Sequence, residues 1–157
     1  MVKYVKGNLL DSNCDYICHQ VNCQGVMGSG IAKQIRERWP EVYESYKKTY
    51  IEYMSYGAGW LLGQIDIVPL NDDSGRQVVN MFAQDKCGYD GNRYTSYDAF
   101  ATALHKIEDV IPPWATIGFP KNIGCGLGGG NWKVISALIE EILGKDYEVY
   151  IYEYDGE

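Results

Sequence analysis

Apolar residues along this chain follow two alternating patterns, one typical of strands and one typical of helices. Short segments rich in Val, Ile and Tyr predict six strands, at residues 1–6, 16–21, 61–70, 77–84, 116–120 and 147–154. Between them, apolar residues recur every three or four positions and predict four helices, with apolar faces at residues 31–39, 43–53, 97–107 and 135–142. Strands that alternate with helices predict an α/β fold in which helices cover both faces of a mixed, mainly parallel sheet.

Residues near the ends of the predicted helices agree with this division. Pro40 can occupy the first turn of the second helix, and Thr95 with Asp98 has the spacing of a capping box at the start of the third. Asn131 is a suitable N-cap for the fourth helix, and Gly144 follows its predicted end. The second helix also carries tyrosines at helical spacing, which we interpret as a core-facing stripe rather than a ligand site. They are Tyr43, Tyr46, Tyr50 and Tyr53.

Length and composition limit the class of protein. A chain of 157 residues, with 46% hydrophobic and 22% charged residues, is expected to form one domain over residues 1–157. No apolar run approaches the roughly 20 residues that cross a bilayer, and the first residues lack the apolar segment of a signal peptide. We therefore expect a soluble, cytoplasmic protein that has no membrane partner.

Charge and cysteine content narrow the candidate ligands. The formal net charge of −7 argues against nucleic acid as a partner, because an acidic surface repels phosphate backbones. The five cysteines are odd in number and contain no C-x-x-C pair, and only two histidines are present. This content favours free thiols and does not favour a metal site. We expect a monomer without a cofactor, whose ligand is a small molecule.

Glycines are concentrated in two loops, each of which follows a predicted strand and precedes a predicted helix. We call residues 25–30 the first glycine loop and residues 124–130 the second glycine loop. Free backbone N–H groups and the positive end of a helix dipole suit an anion in such a position. Two such loops at the carboxyl edge of one sheet could enclose a diphosphate. The alternative is that these glycines serve only to permit tight turns.

Three motifs, in order along the chain, carry a family resemblance. They are the segment YVKGNLL at residues 4–10, the string His19-x-x-Asn22-Cys23-x-Gly25-x-x-Gly28-x-Gly30, and the segment GCGLGGGNW at residues 124–132. The chain resembles the macrodomain family, and within it the ADP-ribose 1″-phosphate phosphatases of phage and fungal type. The resemblance implies a three-layer α/β/α sandwich with ADP-ribose lying across the carboxyl ends of the strands.

The same resemblance implies a set of ligand-binding residues. Asn8 and Leu9 would meet adenine, Tyr152 would stack on adenine or its ribose, and Asn22 would hold the hydroxyls of the distal ribose. The whole set that the resemblance implies is Gly7, Asn8, Leu9, Asn22, Gly25, Val26, Met27, Gly28, Ser29, Gly30, Ile31, Gln84, Ile123, Gly124, Cys125, Gly126, Leu127, Gly128 and Tyr152.

The implied activity is hydrolysis of ADP-ribose 1″-phosphate to ADP-ribose and phosphate. His19 would act as general acid or base, Asn22 would orient the distal ribose, and Asp85 or Asp90 is a candidate base. The other interpretation of His19 is a hydrogen-bonded core histidine.

Two other functions stay open beside the phosphatase. One is a non-catalytic reader of ADP-ribose or of a related NAD-derived nucleotide. The other is an ADP-ribosyl hydrolase that acts on modified protein or nucleic acid. The glycohydrolase branch of the family uses a lysine just past the fourth strand and, in some members, an aspartate in the second glycine loop. This chain has Gln84 and Gly128 at those places.

Overall fold

The computed structural model describes residues 1–85, 93–126 and 128–154, and within them the chain forms six strands and four α-helices. The strands are β1 (Val2–Lys6), β2 (Tyr16–Asn22), β3 (Ile65–Pro69), β4 (Gln77–Gln84), β5 (Thr116–Pro120) and β6 (Glu148–Glu153). The helices are α1 (Gly30–Arg38), α2 (Pro40–Met54), α3 (Tyr97–Val110) and α4 (Trp132–Ile142). Short 3₁₀ turns lie at Leu9–Asp11 and Ala58–Trp60.

The six strands form one sheet in the order β1-β6-β5-β2-β4-β3. All neighbouring strands run parallel except β3 and β4, which are antiparallel. Since parallel strands end at the same edge, the connections that follow β1, β2, β4 and β5 leave the sheet at one edge. The prediction of a mixed, mainly parallel α/β/α sandwich is confirmed.

Alternate residues of the central strands face two separate apolar cores. On one face, Ile17 and Phe82 pack with Ile35 of α1 and Tyr46 of α2. The other face, which includes Cys18, packs against residues of α3 and α4 that include Phe100, Leu104, Ile135 and Ile139. The period of two in a strand thus places the α1–α2 layer and the α3–α4 layer on opposite sides of the sheet.

Three of the four predictions for helix ends are confirmed. Pro40 begins α2 directly after α1, the Asn131 side chain accepts a hydrogen bond from the Lys133 N–H at the start of α4, and Gly144 follows the end of that helix. The capping box at Thr95 is wrong. Ser96 is the N-cap of α3, with its hydroxyl 3.1 Å from the Ala99 nitrogen, and Thr95 is buried one residue earlier.

The third strand is shorter than predicted, because residues 61–63 form a turn and β3 begins only at Ile65. Among the described residues, no helix has the length and apolar character needed to span a membrane. The same residues contain no cluster of three or more metal-ligating side chains. The four described cysteines, which are Cys14, Cys18, Cys23 and Cys125, are free thiols.

Candidate functional site

The two glycine loops leave adjacent strands at the same edge of the sheet. The first loop follows β2 and leads into α1, and the second follows β5 and leads towards α4. Strands β2 and β5 are neighbours and pair through Tyr16 with Ile117 and Ile17 with Gly118. A ligand that lies across this edge could therefore contact both loops at once.

The first glycine loop presents backbone donors that have no acceptor. Within the described part of the chain, the N–H groups of Met27, Gly28, Ser29 and Gly30 donate to no group. Ser29 is the N-cap of α1, yet its side chain makes no capping hydrogen bond, unlike Ser96 of α3 and Asn131 of α4. Residues 28–30 are also exposed. The loop thus combines open donors with the positive end of a helix dipole, which is the arrangement that binds an anion.

Asn22, the last residue of β2, organises the first glycine loop. Its Oδ1 lies 2.7 Å from the Tyr46 hydroxyl and 3.0 Å from the Gln24 nitrogen, and its Nδ2 donates to the Val26 carbonyl at 2.9 Å. The Tyr46 hydroxyl also lies 2.9 Å from the Asn22 carbonyl. Burial raises the pKa of the Tyr46 phenol, so it remains a hydroxyl donor. Most of the hydrogen-bonding capacity of Asn22 is therefore used within the loop, and its predicted contact with ribose stays a prediction.

Gly25 is a position where only glycine fits the first loop. Its φ is +79°, and a Cβ there would lie 2.9 Å from Lys47 Nζ and 3.0 Å from the Tyr50 ring. The Lys47 ammonium donates to the Gly25 carbonyl at 3.3 Å. The loop is thus held from behind by α2, while Lys33 and Arg36 of α1 line an adjoining groove of about 500 Å³ beside Gly28.

The second glycine loop closes on itself through its main chain. The Gly130 N–H donates to the Gly124 carbonyl at 2.8 Å, and the Gly129 N–H to the Gly126 carbonyl at 3.0 Å. The N–H groups of Gly126 and Gly128 donate to no group in the part of the chain that the structure describes. This loop therefore also offers backbone donors to a ligand.

Residues predicted for the adenine end do come together. The Tyr152 ring lies 3.9 Å from the place of a Cβ on Gly7, which is followed by Asn8. Asn8 Oδ1 accepts from the Leu10 N–H at 3.0 Å, so this oxygen is occupied before any base binds, and the Leu9 side chain is buried in the core. The exposed part of this subsite consists of backbone and the half-buried Tyr152.

His19 is placed in the core of the α1–α2 layer. Its side chain is fully buried, and Nε2 lies 2.5 Å from Asn80 Oδ1. Asn80 Nδ2 faces the Asp66 carboxylate at 3.3 Å and the Val42 carbonyl at 3.5 Å, so its amide oxygen must face His19. The histidine then carries its proton on Nε2, and the buried Nδ1 makes no hydrogen bond to any residue that the structure describes. Burial lowers the pKa of His19 to about 4, although the Asn80 hydrogen bond opposes this.

The burial of His19 favours the core-histidine interpretation, and its acid–base role stays a prediction. Asp85 is exposed directly after β4, where the Cys23 N–H lies 3.1 Å from its carbonyl, so the backbone places it beside the start of the first loop. Gln84 is largely buried, and its Oε1 accepts from Gln20 Nε2 at 3.0 Å. Asp90 and Leu127 lie outside the described residues.

Other predicted contacts differ in exposure. Val26 is half exposed, whereas the Met27 side chain is buried, so Met27 can contribute only backbone to a ligand. Ile31 and Cys125 are half-buried, and Ile123 is buried. Sequence reasoning missed Gln20, Tyr46, Lys47 and Thr95 as residues that hold the loops. For Tyr46 a signal existed, because a buried tyrosine hydroxyl needs a polar partner.

Curated relatives of the chain include enzymes whose names refer to ADP-ribose or ADP-ribosyl groups. A DNA ADP-ribosyl glycohydrolase of Thermus aquaticus is 40% identical over 155 residues, which cover 98% of this chain and 41% of the relative. The ADP-ribose 1″-phosphate phosphatase of Saccharomyces cerevisiae is 26% identical and is covered over 98% of its length. The Mycobacterium tuberculosis DNA ADP-ribosyl glycohydrolase is 44% identical over 48 residues, 31% of this chain and 14% of the relative. The chain thus spans less than half the length of these glycohydrolases. No family model matches it.

Solved structures share the fold over almost the whole chain. A protein of unknown function from Bacteroides thetaiotaomicron superposes with a TM-score of 0.82 at 28% identity, covering 98% of both chains. The macrodomain of M. tuberculosis DarG gives 0.77 at 23% identity and 97% coverage of both. Thermosipho africanus DarTG in complex with ADP-ribose gives 0.80 at 19% identity, over 99% of this chain and 42% of that one.

Proposed function

This chain belongs to the macrodomain family, and on that premise we propose that it binds ADP-ribose across the carboxyl edge of its sheet and hydrolyses a group attached to the distal ribose. The observation that carries the proposal is the set of N–H groups at residues 27–30 that have no acceptor in the described part of the chain, in front of an α1 N-terminus that none of the described side chains caps. Such a site takes an anion without needing a basic pocket, which suits a chain of net charge −7.

The diphosphate lies between the two glycine loops in this proposal. Open donors of the first loop face it from the end of β2, and the N–H groups of Gly126 and Gly128 face it from the end of β5. The groove beside the first loop is lined by Lys33 and Arg36 and equally by Glu37 and Glu44, so the backbone N–H groups supply the attraction for the diphosphate. Adenine then lies towards Tyr152, and the distal ribose lies towards Asn22 and Asp85. A T. africanus protein, 42% of which matches the fold of this chain, is known in complex with ADP-ribose, which supports this choice of ligand.

The first candidate reaction is hydrolysis of ADP-ribose 1″-phosphate. Water attacks the phosphorus of the 1″-phosphate, the P–O bond to the ribose 1″-oxygen breaks, and that oxygen takes a proton, so the products are ADP-ribose and inorganic phosphate. Asp85 is exposed at the end of β4 and can accept the proton of the water, whereas Asn22 orients the ribose through the loop. The full-length coverage of the yeast phosphatase supports this reaction.

A second candidate is removal of ADP-ribose from DNA. The specific observation in its favour is the Thermus relative, which is more similar to this chain than the yeast phosphatase and matches 98% of it. Gln84 stands where the glycohydrolase branch has a lysine, and a carboxamide cannot supply the amine of that lysine. If DNA is the substrate, this chain must therefore use a route that does not depend on an amine.

Ser29→Asp tests the binding site directly. A carboxylate at this N-cap would satisfy the N–H groups of α1 within the protein and would repel a diphosphate. We expect higher thermal stability together with at least a tenfold weaker affinity for ADP-ribose in calorimetry. Ser55→Asp, at the exposed C-terminal end of α2, makes the same charge change away from the α1 N-terminus and should leave the affinity within twofold. Unchanged affinity in Ser29→Asp would contradict the proposed anion site.

Substrate turnover separates the two reactions. The purified chain is incubated with ADP-ribose 1″-phosphate and, separately, with ADP-ribosylated DNA, and the release of phosphate or of ADP-ribose is measured. Asp85→Asn should abolish the observed reaction but keep ADP-ribose binding, because an amide cannot take the proton. Tight binding without turnover of either substrate would refute the proposed hydrolase activity and would favour a non-catalytic reader of ADP-ribose.

A further inference from the structure

Thr95 lies at the junction of β4 and α3, directly beneath the second glycine loop. Its side chain is 2% exposed, and its backbone forms an isolated bridge with Gln84 at the end of β4. The Thr95 N–H donates to the Gly128 carbonyl at 2.9 Å, and the Tyr94 N–H lies 2.7 Å from the same oxygen. The loop is therefore bound to this junction through the main chain on one side.

The Thr95 hydroxyl binds the other side of the loop. Oγ1 donates to the Gly124 carbonyl at 2.7 Å. The direction of this bond is fixed by Gln20, whose Nε2 donates to Oγ1 at 2.8 Å and to Gln84 Oε1 at 3.0 Å. Because the hydroxyl has a single proton and already accepts from Gln20, that proton is directed to Gly124.

Two carbonyl oxygens of the second glycine loop thus accept hydrogen bonds from the same residue, Thr95. Gly124 bonds to the hydroxyl of Thr95 and Gly128 to its N–H, and the open N–H groups of Gly126 and Gly128 lie within the stretch so held. We propose that Thr95 is a positioning residue that holds the second glycine loop in its ligand-binding conformation, with Gln20 directing the Thr95 hydrogen bond. This inference rests on the proposed function, since the loop is positioned for ADP-ribose.

A matched pair of variants separates the contribution of the Thr95 hydroxyl to affinity from the contribution of its side-chain shape. Thr95→Val keeps the branched side chain but loses the hydroxyl, and we expect ADP-ribose to bind about tenfold more weakly. Thr95→Ser restores the hydroxyl and should bind within threefold of the unmodified chain. Calorimetry gives the affinities, and thermal unfolding verifies that each variant is folded. Equal loss of affinity in the two variants would overturn the role of the hydroxyl.

Gln20→Glu tests the direction of the hydrogen bond without touching Thr95. A carboxylate accepts but does not donate, so the Thr95 proton would go to Glu, and the Gly124 carbonyl would keep its bond from the Gly130 N–H but lose the one from Thr95. We expect a loss of affinity similar to that of Thr95→Val. The double variant should bind no more weakly than Thr95→Val alone, because both changes break one chain of hydrogen bonds. Full additivity would overturn the coupling.

Amide hydrogen exchange in the ligand-free protein tests the role of Thr95 without a binding measurement. Thr95→Val should speed amide exchange in residues 124–130 and leave residues 25–30 unchanged. If the unmodified chain does not bind ADP-ribose, the proposed function fails, while the exchange result still decides whether Thr95 holds the loop. Unchanged exchange in residues 124–130 would overturn the inference even if ADP-ribose binds.

Discussion

The two glycine loops have similar sequences but are held in different ways. The first is supported from behind by side chains of α2 and by the Asn22 amide, and beyond Gly25 it leaves space around its glycines. In the second, the main chain folds back on itself, so that the Gly124 carbonyl lies 2.7 Å from the place of a Cβ on Gly128. Glycine therefore keeps donors open in the first loop, whereas in the second it also permits close packing of the backbone.

The largest effect is expected for Gly128→Ala. A methyl group there meets the Thr95 hydroxyl and the backbone carbonyl of Gly124, neither of which is a flexible side-chain end. We expect the free energy of unfolding to fall by about 3 kcal/mol. Denaturant unfolding measures this change.

Gly126→Ala is the matched control for Gly128→Ala, because no atom of the described residues, apart from the chain neighbours of Gly126, lies within 4 Å of a Cβ at that position. It should change stability by less than about 0.5 kcal/mol. Equal effects of the two substitutions would contradict the difference in packing between glycines of one loop.

The second-largest effect is a pH dependence of stability, and it arises in the α1–α2 layer behind the first loop, where His19 is buried. The pKa of His19 is about 4 in the folded chain against an ordinary value of 6.5, so the unfolded chain binds a proton more readily between these values. The stability associated with neutral His19 is present above pH 6.5 and is lost as the pH falls towards 4. We expect a loss of roughly 1 to 2 kcal/mol between pH 6.5 and pH 5.

His19→Gln provides the comparison for this pH dependence. Its amide can still donate to Asn80 but does not titrate, so its unfolding free energy should vary less over the same pH range. The carboxylates and the exposed His105 are present in both proteins, and their contributions cancel in the difference. Behind the second loop the corresponding groups are amides and a hydroxyl, which gain no proton over this pH range. Acid should therefore speed amide hydrogen exchange in the α1–α2 layer before it does so around the second loop. Identical pH profiles would refute this assignment.

Secondary structure was predictable because its signals are local. The spacing of apolar residues gave the helices, and Pro40 and Asn131 marked helix starts that the structure has. The error at Thr95 has a physical reason. A threonine followed three residues later by an acid satisfies the capping pattern, but Ser96 supplies the cap and Thr95 is drawn into contacts with Gln20 and Gly124, which lie far away in sequence.

The residues that support the two glycine loops were harder to predict from the sequence than the loops themselves. Glycine content and position pointed to both loops, since a strand followed by glycines and a helix is a local pattern. Nothing local indicates that Gln20 faces Thr95 across the sheet edge, or that Tyr46 reaches back to Asn22. For His19, the family resemblance suggested catalysis beside the alternative of a core histidine, and only the pairing of β2 with β4 shows that its ring meets Asn80 in the core.

The smallest effect is expected for Tyr46→Phe, which tests the support of the first loop. The change removes one buried hydroxyl, leaves its two Asn22 acceptors without that donor and should cost about 1 kcal/mol of stability. ADP-ribose should bind a few-fold more weakly, because the Asn22 side chain is then held only by its bonds to Gln24 and Val26. Tyr43→Phe is the control, since the Tyr43 hydroxyl is only half-buried and lies 3.4 Å from the Gly25 carbonyl. Should both variants weaken binding equally, the support would come from the tyrosine stripe as a whole and not from the Tyr46–Asn22 contact.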